Sequence, residues 1–235
     1  MVFDQLRAKL MAKGYTTDTA NAKIAHDVVL DAVREAGFHD NLTVKGGVVM
    51  SGLTNIVRRA TMDMDVDFLH YSLSDAAIRQ FVSRLNWISE CKISISRPIK
   101  KLAQQEYKGK RVYISVEDAN GSSIETKVDI GVHTHAEIIQ DERRFGALSG
   151  EKSATLFANP REQIFAEKLL SLIKHGALST RAKDVFDLYY LTAEVDCRAL
   201  RGVLDELILA NKQCPIREPP RILDAVGRTF QSKRF

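Results

Sequence analysis

Three aspartates stand at alternate positions of one short segment: Asp63, Asp65 and Asp67. Side chains of a β-strand point to its two faces in turn, so the three carboxylates are expected on one face, about 6–7 Å apart. Such a row of like charges is kept either in water or around a cation. Oxygen ligands suit Mg²⁺ or Mn²⁺, and Mg²⁺ is usually held by one or two carboxylates together with substrate phosphates. The segment therefore predicts either a solvated edge strand or a metal site for phosphate chemistry.

A glycine pair before the acidic segment makes the metal site the better prediction. Gly46 and Gly47 follow Lys45, at the end of a predicted strand. Glycines let a phosphate approach the backbone, and the N–H groups at the start of a helix attract anions. Arg59 and Thr61 stand just before the acids, where Arg59 either binds phosphate or caps the end of the strand. The whole pattern favours a nucleotide phosphate site.

A fourth carboxylate, Asp129, occurs in an alternating segment in which Lys127, Gly131, His133 and His135 share its face. If this strand lies about 4.8 Å from the acidic strand, Asp129 joins the first two acids of the row around metal ions. Asp129 is also the natural general base for an incoming hydroxyl. An exposed strand acid is an equally good interpretation of the residues alone. The two histidines are better interpreted as surface or nucleotide-adjacent residues than as metal ligands.

Charged residues on two predicted helices in the second half of the chain form a further candidate set. Lys168 lies in a predicted amphipathic helix, where a lysine is ordinarily exposed to solvent beside the apolar face. Arg181 and Asp184 share one face of the next helix, and Lys183 and Asp187 share another. They are expected either to form intrahelical ion pairs, worth on the order of a few tenths of a kcal/mol each, or to contact phosphates.

Five sequence motifs occur in one order along residues 45–191. They are Lys45-Gly46-Gly47, Arg59-Ala60-Thr61-Met62-Asp63-Met64-Asp65, Lys127-Val128-Asp129-Ile130-Gly131, Glu167-Lys168-Leu169 and Arg181-Ala182-Lys183-Asp184-Val185-Phe186-Asp187-Leu188-Tyr189. In this order they resemble the AbiEii/AbiGii-type nucleotidyltransferase toxins, within the DNA polymerase β-like nucleotidyltransferase superfamily. The chain departs from that family at Val48, where a small hydroxyl residue is usual, and so lacks a side-chain donor to the terminal phosphate.

The resemblance implies a division of roles among these residues. It places the metal on Asp63, Asp65 and Asp129, leaving Asp67 either behind these ligands or in solvent. It places Lys168 over the nucleotide triphosphate, where Asp184 orients Lys168 or the nucleotide. The implied catalytic residues are Asp63, Asp65, Asp129, Lys168 and Asp184. The implied nucleotide-binding residues are Lys45, Gly46, Gly47, Arg59, Thr61, Lys168, Arg181, Lys183 and Asp187.

The same resemblance implies an enzyme that uses Mg²⁺ or Mn²⁺ to transfer a nucleoside monophosphate from an NTP to an acceptor hydroxyl. It suggests the toxin of a type IV toxin–antitoxin or abortive-infection system in phage defence. The expected acceptor is the 3′ end of tRNA, and the expected protein partner is a cognate antitoxin. Two other functions stay open. One is a metal-dependent phosphodiesterase or nuclease that uses the same carboxylates with water as acceptor. The other is a non-catalytic nucleotide- or RNA-binding module, an alternative that Val48 keeps open.

Composition limits the class of protein. The 235 residues carry a net charge of +4, and 45% hydrophobic and 27% charged residues are ordinary for a globular chain. Basic residues concentrate over 92–111, with seven against one acid, and over 198–235, with eight against four. Both regions are either solvated charge or contacts to a phosphate backbone. Three widely spaced cysteines, the lack of a signal-peptide pattern and the lack of a membrane-length apolar run predict a cytoplasmic protein without membrane contact.

Hydrophobic periodicity predicts mixed helices and strands up to residue 159 and helices from residue 160 onward. Together with the resemblance, this predicts an α/β (α+β) fold: a nucleotidyltransferase-type mixed sheet with flanking helices, followed by a C-terminal helical bundle, in domains 1–159 and 160–235. Strands are predicted over 42–45, 62–69, 92–99, 111–117 and 124–132. Helices are predicted over 4–13, 17–37, 74–87, 160–176, 180–192, 198–211 and after Pro219, with a short turn or helix over 48–53. Residues 141–152 are predicted to be a polar connection.

Overall fold

The chain divides into two compact units, one of Met1–Thr134 with Gln140–Asn159 and one of His135–Ile139 with Pro160–Phe235. The computed structural model describes residues 1–102, 109–135, 137–145, 154–175 and 182–231. Arg181, one of the predicted nucleotide-binding residues, lies outside the described residues. All eight strands given below belong to the first unit.

A mixed eight-stranded sheet forms the centre of the first unit. Its strands are β1 Leu42–Lys45, β2 Asp63–Phe68, β3 Lys92–Ile95, β4 Lys100–Lys101, β5 Lys110–Glu117, β6 Ser123–Val132, β7 Asp141–Phe145 and β8 Ala154–Ala158. Seven strands follow the order β3-β5-β6-β2-β1-β8-β7, and β4 pairs with β5. The acidic strand β2 therefore lies inside the sheet, antiparallel to β1 and parallel to β6.

Period-two alternation in β2 and β6 gives the sheet one apolar face. Met64, Val66 and Phe68 are at most 2% exposed, and Val128 and Ile130 on β6 are buried beside them. The intervening aspartates of β2 therefore point to the opposite face, as the sequence predicts. Burial of the apolar face fixes this register, because a shift by one residue would move the carboxylates into the core.

The α-helices among the described residues of the first unit are α1 Phe3–Ala12, α2 Thr17–Glu35, α3 Gly46–Thr54 and α4 Asp75–Ile88. Helix α2 starts with a capping box between Thr16 and Thr19, and Ser74 caps α4 by accepting a hydrogen bond from the Ala77 N–H at 3.2 Å. Helix α2 packs on the apolar face of the sheet, where His26 contacts Thr126 of β6.

The predicted polar connection over 141–152 is wrong for its described part. Residues Asp141–Phe145 form β7, which is antiparallel to β8, and β8 runs parallel to β1. Strand β7 ends the described strand order, so its sequence DERRF keeps an alternating pattern of partly exposed charges. An edge strand tolerates such charges because its second backbone edge has no neighbouring strand to exclude water. Composition alone therefore pointed to a loop.

The second unit is helical over its described residues. Its helices are α5 Arg161–His175, α6 Ala182–Thr192, α7 Cys197–Leu204 and α8 Pro219–Phe230. The helix predicted over 198–211 is divided into α7, which Asp196 caps, and a π-helical turn over Asp205–Leu209. The core of this unit is aliphatic and contains Ile138, Ala166, Ile173, Val203, Leu207, Ile208, Cys214 and Ile222.

The predicted α/β fold class, a mixed sheet with flanking helices and a helical C-terminal part, is confirmed. Within the described part of the chain, no helix combines the length and the apolar character needed to cross a membrane.

Candidate active site

The acidic row and the fourth predicted carboxylate lie on neighbouring strands. In the parallel pair β2–β6, Asp65 is the register partner of Asp129, and Asp63 is the partner of Lys127. Because partners across a sheet present their side chains to the same face, Asp63, Asp65 and Asp129 share the face opposite the core. The sequence analysis could state only as a condition that the strand of Asp129 lies beside the acidic strand. The structure shows that β6 and β2 are neighbours.

The glycine turn packs directly onto this acidic face. Helix α3 begins at Gly46, whose φ is +63°, and a Cβ at that position would lie 2.6 Å from Asp65 Oδ2. A Cβ at Gly47 would lie 2.5 Å from Thr61 Oγ1. Lys45 at the N-cap makes no side-chain capping hydrogen bond. The start of α3 therefore combines backbone donors with the approach of a carboxylate, which glycine alone permits.

Asp67 differs from the other acids of its row. Its side chain is 8% exposed, and Lys45 Nζ lies 2.8 and 2.9 Å from its two carboxylate oxygens. Asp67 Oδ1 also packs against Gly131, its register partner on β6. Of the two alternatives predicted for Asp67, the solvent-exposed one is wrong, because Asp67 is the buried partner of a lysine. Lys45, predicted to bind nucleotide, makes this ion pair in the structure.

Two further cations contact the acids predicted to bind metal. Arg111 Nε and Nη2 each donate a hydrogen bond of 2.8 Å to a different oxygen of Asp129. Lys127 Nζ lies 2.6 Å from Asp63 Oδ1. The hydrogen bonds from Arg111 to Asp129 hold the pKa of the guanidinium above its ordinary value.

The carboxylates of Asp63, Asp65 and Asp129 are suitable ligands for a divalent cation and lie on adjacent strands. They are not arranged as a metal site in this structure. Carboxylate oxygens on adjacent strands are the ligands that Mg²⁺ and Mn²⁺ prefer. Even so, within the residues described here no three His, Cys, Asp or Glu side chains are arranged to hold a metal ion. Lys127 and Arg111 account for part of this, because they engage Asp63 and Asp129.

The residues just before the acidic strand lie inside the first unit. Arg59 is 4% exposed, so its guanidinium is enclosed by protein. Thr61 Oγ1 donates to the Asp63 carbonyl at 3.2 Å and accepts from the Asp63 N–H at 3.4 Å. These hydrogen bonds stabilise the turn that leads into β2. The predicted contact of Thr61 with nucleotide stays a prediction.

A second charged cluster lies in the other unit, between α5 and α6. Lys168 Nζ is 2.8 Å from Asp184 Oδ1 and 3.5 Å from Asp187 Oδ2, and Ser171 donates to Asp184 at 3.0 Å. Asp184 and Asp187 are 4% and 0% exposed. The contact between Lys168 and Asp184 is the one that the resemblance implies. Lys183 is exposed, and its role in binding phosphate stays a prediction.

Strand β6 ends at Val132, just before the two histidines that the alternation grouped with Asp129. His133 Nε2 lies 3.5 Å from Gln140 Nε2 in the first unit, and His135 Nδ1 lies 2.7 Å from Glu206 Oε1 in the second. That His133 and His135 share the face of Asp129 stays a prediction.

Comparison with known families matches residues 28–231 to the nucleotidyl transferase AbiEii toxin of type IV toxin–antitoxin systems. The chain belongs to this family. It is accordingly a nucleotidyltransferase, with an NTP as substrate and an antitoxin as the partner that such a system implies. No significant match to a curated protein was found.

Three solved structures match the chain at low sequence identity. An antigenic nucleotidyltransferase-like protein from Paracoccidioides brasiliensis is 13% identical, with a TM-score of 0.49 and coverage of 88% of this chain and 93% of that chain. A solution structure of the antibiotic-resistance factor ANT(2″)-Ia is 15% identical, with a TM-score of 0.47 and coverage of 79% and 90%. A crystal structure of ANT(2″)-Ia with adenylyl-2″-tobramycin is 14% identical, with a TM-score of 0.47 and coverage of 82% and 97%.

The ion pairs that Lys127 and Arg111 of this AbiEii-family chain form with the acidic face were not predicted from the sequence. Lys127 carried a usable signal, since it shares the alternation of Asp129. No sequence pattern identified the partner of Arg111. That partner follows from the antiparallel register of β5 and β6, in which Arg111 pairs with Asp129 and Tyr113 with Lys127.

A pocket of about 550 Å³ lies in the first unit of this AbiEii-family protein. Its lining includes Lys23 and Asp27 of α2, Val48 of α3, Thr61, and Arg143 of β7. None of the four carboxylates of the acidic face lines it. The pocket therefore adjoins the glycine turn through Val48 and Thr61 but does not include the acidic face.

Proposed function

We propose that this AbiEii-family nucleotidyltransferase transfers a nucleoside monophosphate from an NTP to an acceptor hydroxyl, with release of pyrophosphate. The observation that carries the proposal is the contact of Asp65 with Gly46. It brings a carboxylate, in register with Asp129, against the backbone donors at the start of α3. A phosphate binds favourably to such donors, and the carboxylates beside them suit a phosphate-bridging cation.

Asp63, Asp65 and Asp129 would hold Mg²⁺ or Mn²⁺. When bound there, the cation would offset negative charge on the phosphates during transfer. The N–H groups of Gly46 and Gly47 orient the triphosphate, and Asp129 is the base that accepts the proton of the acceptor hydroxyl. Arg59 and Thr61 shape the turn on which these residues stand. Catalysis of this kind is positioning together with electrostatic stabilisation.

The cluster of the second unit has a proposed role of its own. Lys168 would offset the negative charge of the triphosphate, and Asp184 would hold its ammonium in place, as their 2.8 Å contact allows. Arg181, Lys183 and Asp187 complete the nucleotide-binding set that the family resemblance implies.

We propose RNA as the acceptor, with the 3′ end of tRNA as the specific target, in a cytoplasmic toxin that an antitoxin neutralises. Lys100 and Lys101 on β4 are exposed and available to a phosphate backbone. Lys110 is less available, because its Nζ lies 2.6 Å from Asp75 and its side chain is 14% exposed. The described part of the basic region over 92–111 thus offers fewer open cations than its sequence suggests.

The test is transfer of label from each of the four α-labelled NTPs to total RNA in the presence of Mg²⁺, with pyrophosphate measured in parallel. Labelled RNA and pyrophosphate should appear together, and Asp65→Asn should abolish both. RNA cleavage without incorporation of label would replace transfer by phosphodiester hydrolysis. NTP binding without either product would indicate a binding module.

A further inference from the structure

Each of three carboxylates on the acidic face has a cation of the first unit against it. Arg111 contacts Asp129 and Lys127 contacts Asp63, while Lys45 contacts the more buried Asp67. These contacts reduce the repulsion within the row when no other cation is present. Two of the three acids, Asp63 and Asp129, are also the proposed ligands of a divalent cation, so the same oxygens serve two kinds of positive charge.

The pair of Arg111 and Asp129 is the most constrained of these contacts. The two residues are register partners on the antiparallel strands β5 and β6, so their backbones hold them side by side. Both carboxylate oxygens are engaged at 2.8 Å, in the parallel fork that arginine forms with a carboxylate. The side chain of Asp129 is 11% exposed and that of Arg111 is 31% exposed. Asp129 is thus well enclosed, whereas Arg111 has a path toward solvent.

We propose that Arg111 is a counterion that occupies Asp129 in the cation-free protein and leaves it when a divalent cation binds. Arg111 thereby sets the cation affinity of the acidic face. The inference rests on the proposed function in one respect only, namely that a divalent cation binds this face. A competing internal cation lowers the apparent affinity by the fraction of molecules in which the carboxylate is free.

A direct test is to follow the Nε–Hε resonance of Arg111 in ¹⁵N-labelled protein during titration with MgCl₂ alone. The resonance is assigned by its loss in Arg111→Lys. Release from Asp129 should shift or broaden it in step with the backbone amides of Asp65 and Asp129. If those amides report Mg²⁺ binding while the Arg111 resonance stays unchanged, Arg111 remains on Asp129 and the proposal is overturned.

The second measurement is the Mg²⁺ affinity of variants at Arg111. Arg111→Lys keeps the charge but loses the fork, and it should tighten Mg²⁺ binding on the order of tenfold. Tighter binding in Arg111→Gln alone would reflect a general loss of positive charge and would contradict displacement of the fork. Weaker binding in both variants would mean that Arg111 orients Asp129 for the cation, which also overturns the proposal.

The chain offers a matched control in Arg97, which pairs with Glu125 on the same face of β6 and donates from Nε to Oε2 at 2.9 Å. Arg97→Lys should leave Mg²⁺ affinity within about twofold of the parent. If the parent binds no Mg²⁺ at all, both this inference and the metal of the proposed function fail. If Mg²⁺ binds and releases Arg111 but no nucleotide is transferred, the inference stands and the proposed function fails.

Discussion

Gly46 and Asp65 are in direct contact across the start of helix α3, so closely that a Cβ at Gly46 would lie 2.6 Å from Asp65 Oδ2. The glycine also has a φ of +63°, a region that other residues adopt at a cost. One position therefore serves two purposes. It turns the chain from β1 into α3, and it lets a carboxylate of β2 stand beside the first N–H groups of that helix.

Gly46→Ala should lower the free energy of unfolding by about 1–3 kcal/mol, because it adds backbone strain and a clash with Asp65. It should also weaken NTP binding by displacing either α3 or the carboxylate. The measurements are urea unfolding and NTP affinity. Gly52→Ala is the control in the same helix, since a Cβ there meets nothing within 4 Å. It should leave stability unchanged or raise it by up to about 1 kcal/mol, and equal effects at both glycines would contradict the special role of Gly46.

Asp63→Asn and Asp65→Asn should abolish nucleotide transfer with little change in thermal stability, because each removes one charge from a repelling row. Asp67→Asn should behave differently. It leaves Lys45 beside a neutral group in a partly buried site, and should lower the free energy of unfolding by about 2 kcal/mol. Transfer activity per folded molecule should persist in Asp67→Asn. The measurements are label incorporation and thermal unfolding of all three variants, and full activity in Asp63→Asn and Asp65→Asn would remove the proposed metal ligands.

Lys168→Met should destabilise the second unit by about 3 kcal/mol, because it leaves Asp184 and Asp187 buried without this cation. Adding Asp184→Asn to Lys168→Met should recover part of that loss. If Lys168 also contacts the triphosphate, this double variant should fold and still show a raised KM for NTP. Lys174→Met changes an exposed lysine of the same helix and serves as control. A normal KM in the double variant would limit Lys168 to a structural role.

The pH dependence of stability should carry a contribution from Asp27 of α2. Burial raises the pKa of Asp27 to about 6, although the ion pair with Lys23 opposes the shift. The folded protein therefore binds a proton between about pH 6 and pH 4 that the unfolded chain does not, so this group adds stability as the pH falls. The effect is roughly 3 kcal/mol at most. It is absent in Asp27→Asn, whose stability relative to the parent should therefore decline from pH 7 to pH 4.

Urea unfolding of parent and Asp27→Asn at several pH values measures this difference. His26 acts in the opposite direction, since burial lowers its pKa to about 4, but it is present in both proteins and cancels. A relative stability of Asp27→Asn that rises as the pH falls would contradict the sign of the predicted shift.

Replacing Lys100 and Lys101 by Gln should weaken RNA binding if β4 contacts a phosphate backbone. Each lost contact should also reduce the slope of log K against log salt by roughly one unit. NTP affinity should be spared. The measurement is RNA affinity at several salt concentrations. The charge-matched control is the double variant Lys9→Gln and Lys13→Gln, which changes an exposed lysine of α1 and the exposed lysine just after that helix. Equal slopes in both double variants would identify the lysines of β4 as solvated charge.

Alternation and glycine positions, which are local properties, allowed much of the candidate site to be predicted from the sequence. Period-two spacing placed Asp63, Asp65 and Asp67 on one face of a strand, because alternate side chains must share a face. The glycine pair predicted a sharp turn into a helix, and α3 begins there. Strand β7 was missed because an edge strand of charged residues has the composition of a loop.

Which carboxylates have which partners was decided by the tertiary structure alone. The sequence by itself determined the type of donor, the face it occupies and the family to which the motifs belong. Strand register then paired Asp129 with Arg111 and Asp65 with Asp129, while the packing of β1 against β2 paired Lys45 with buried Asp67. Register depends on contacts between residues far apart in the chain, and no spacing within one strand encodes the offset of its neighbour. For this reason the acids could be predicted from the sequence, whereas the cations that pair with them could be identified only from the tertiary structure.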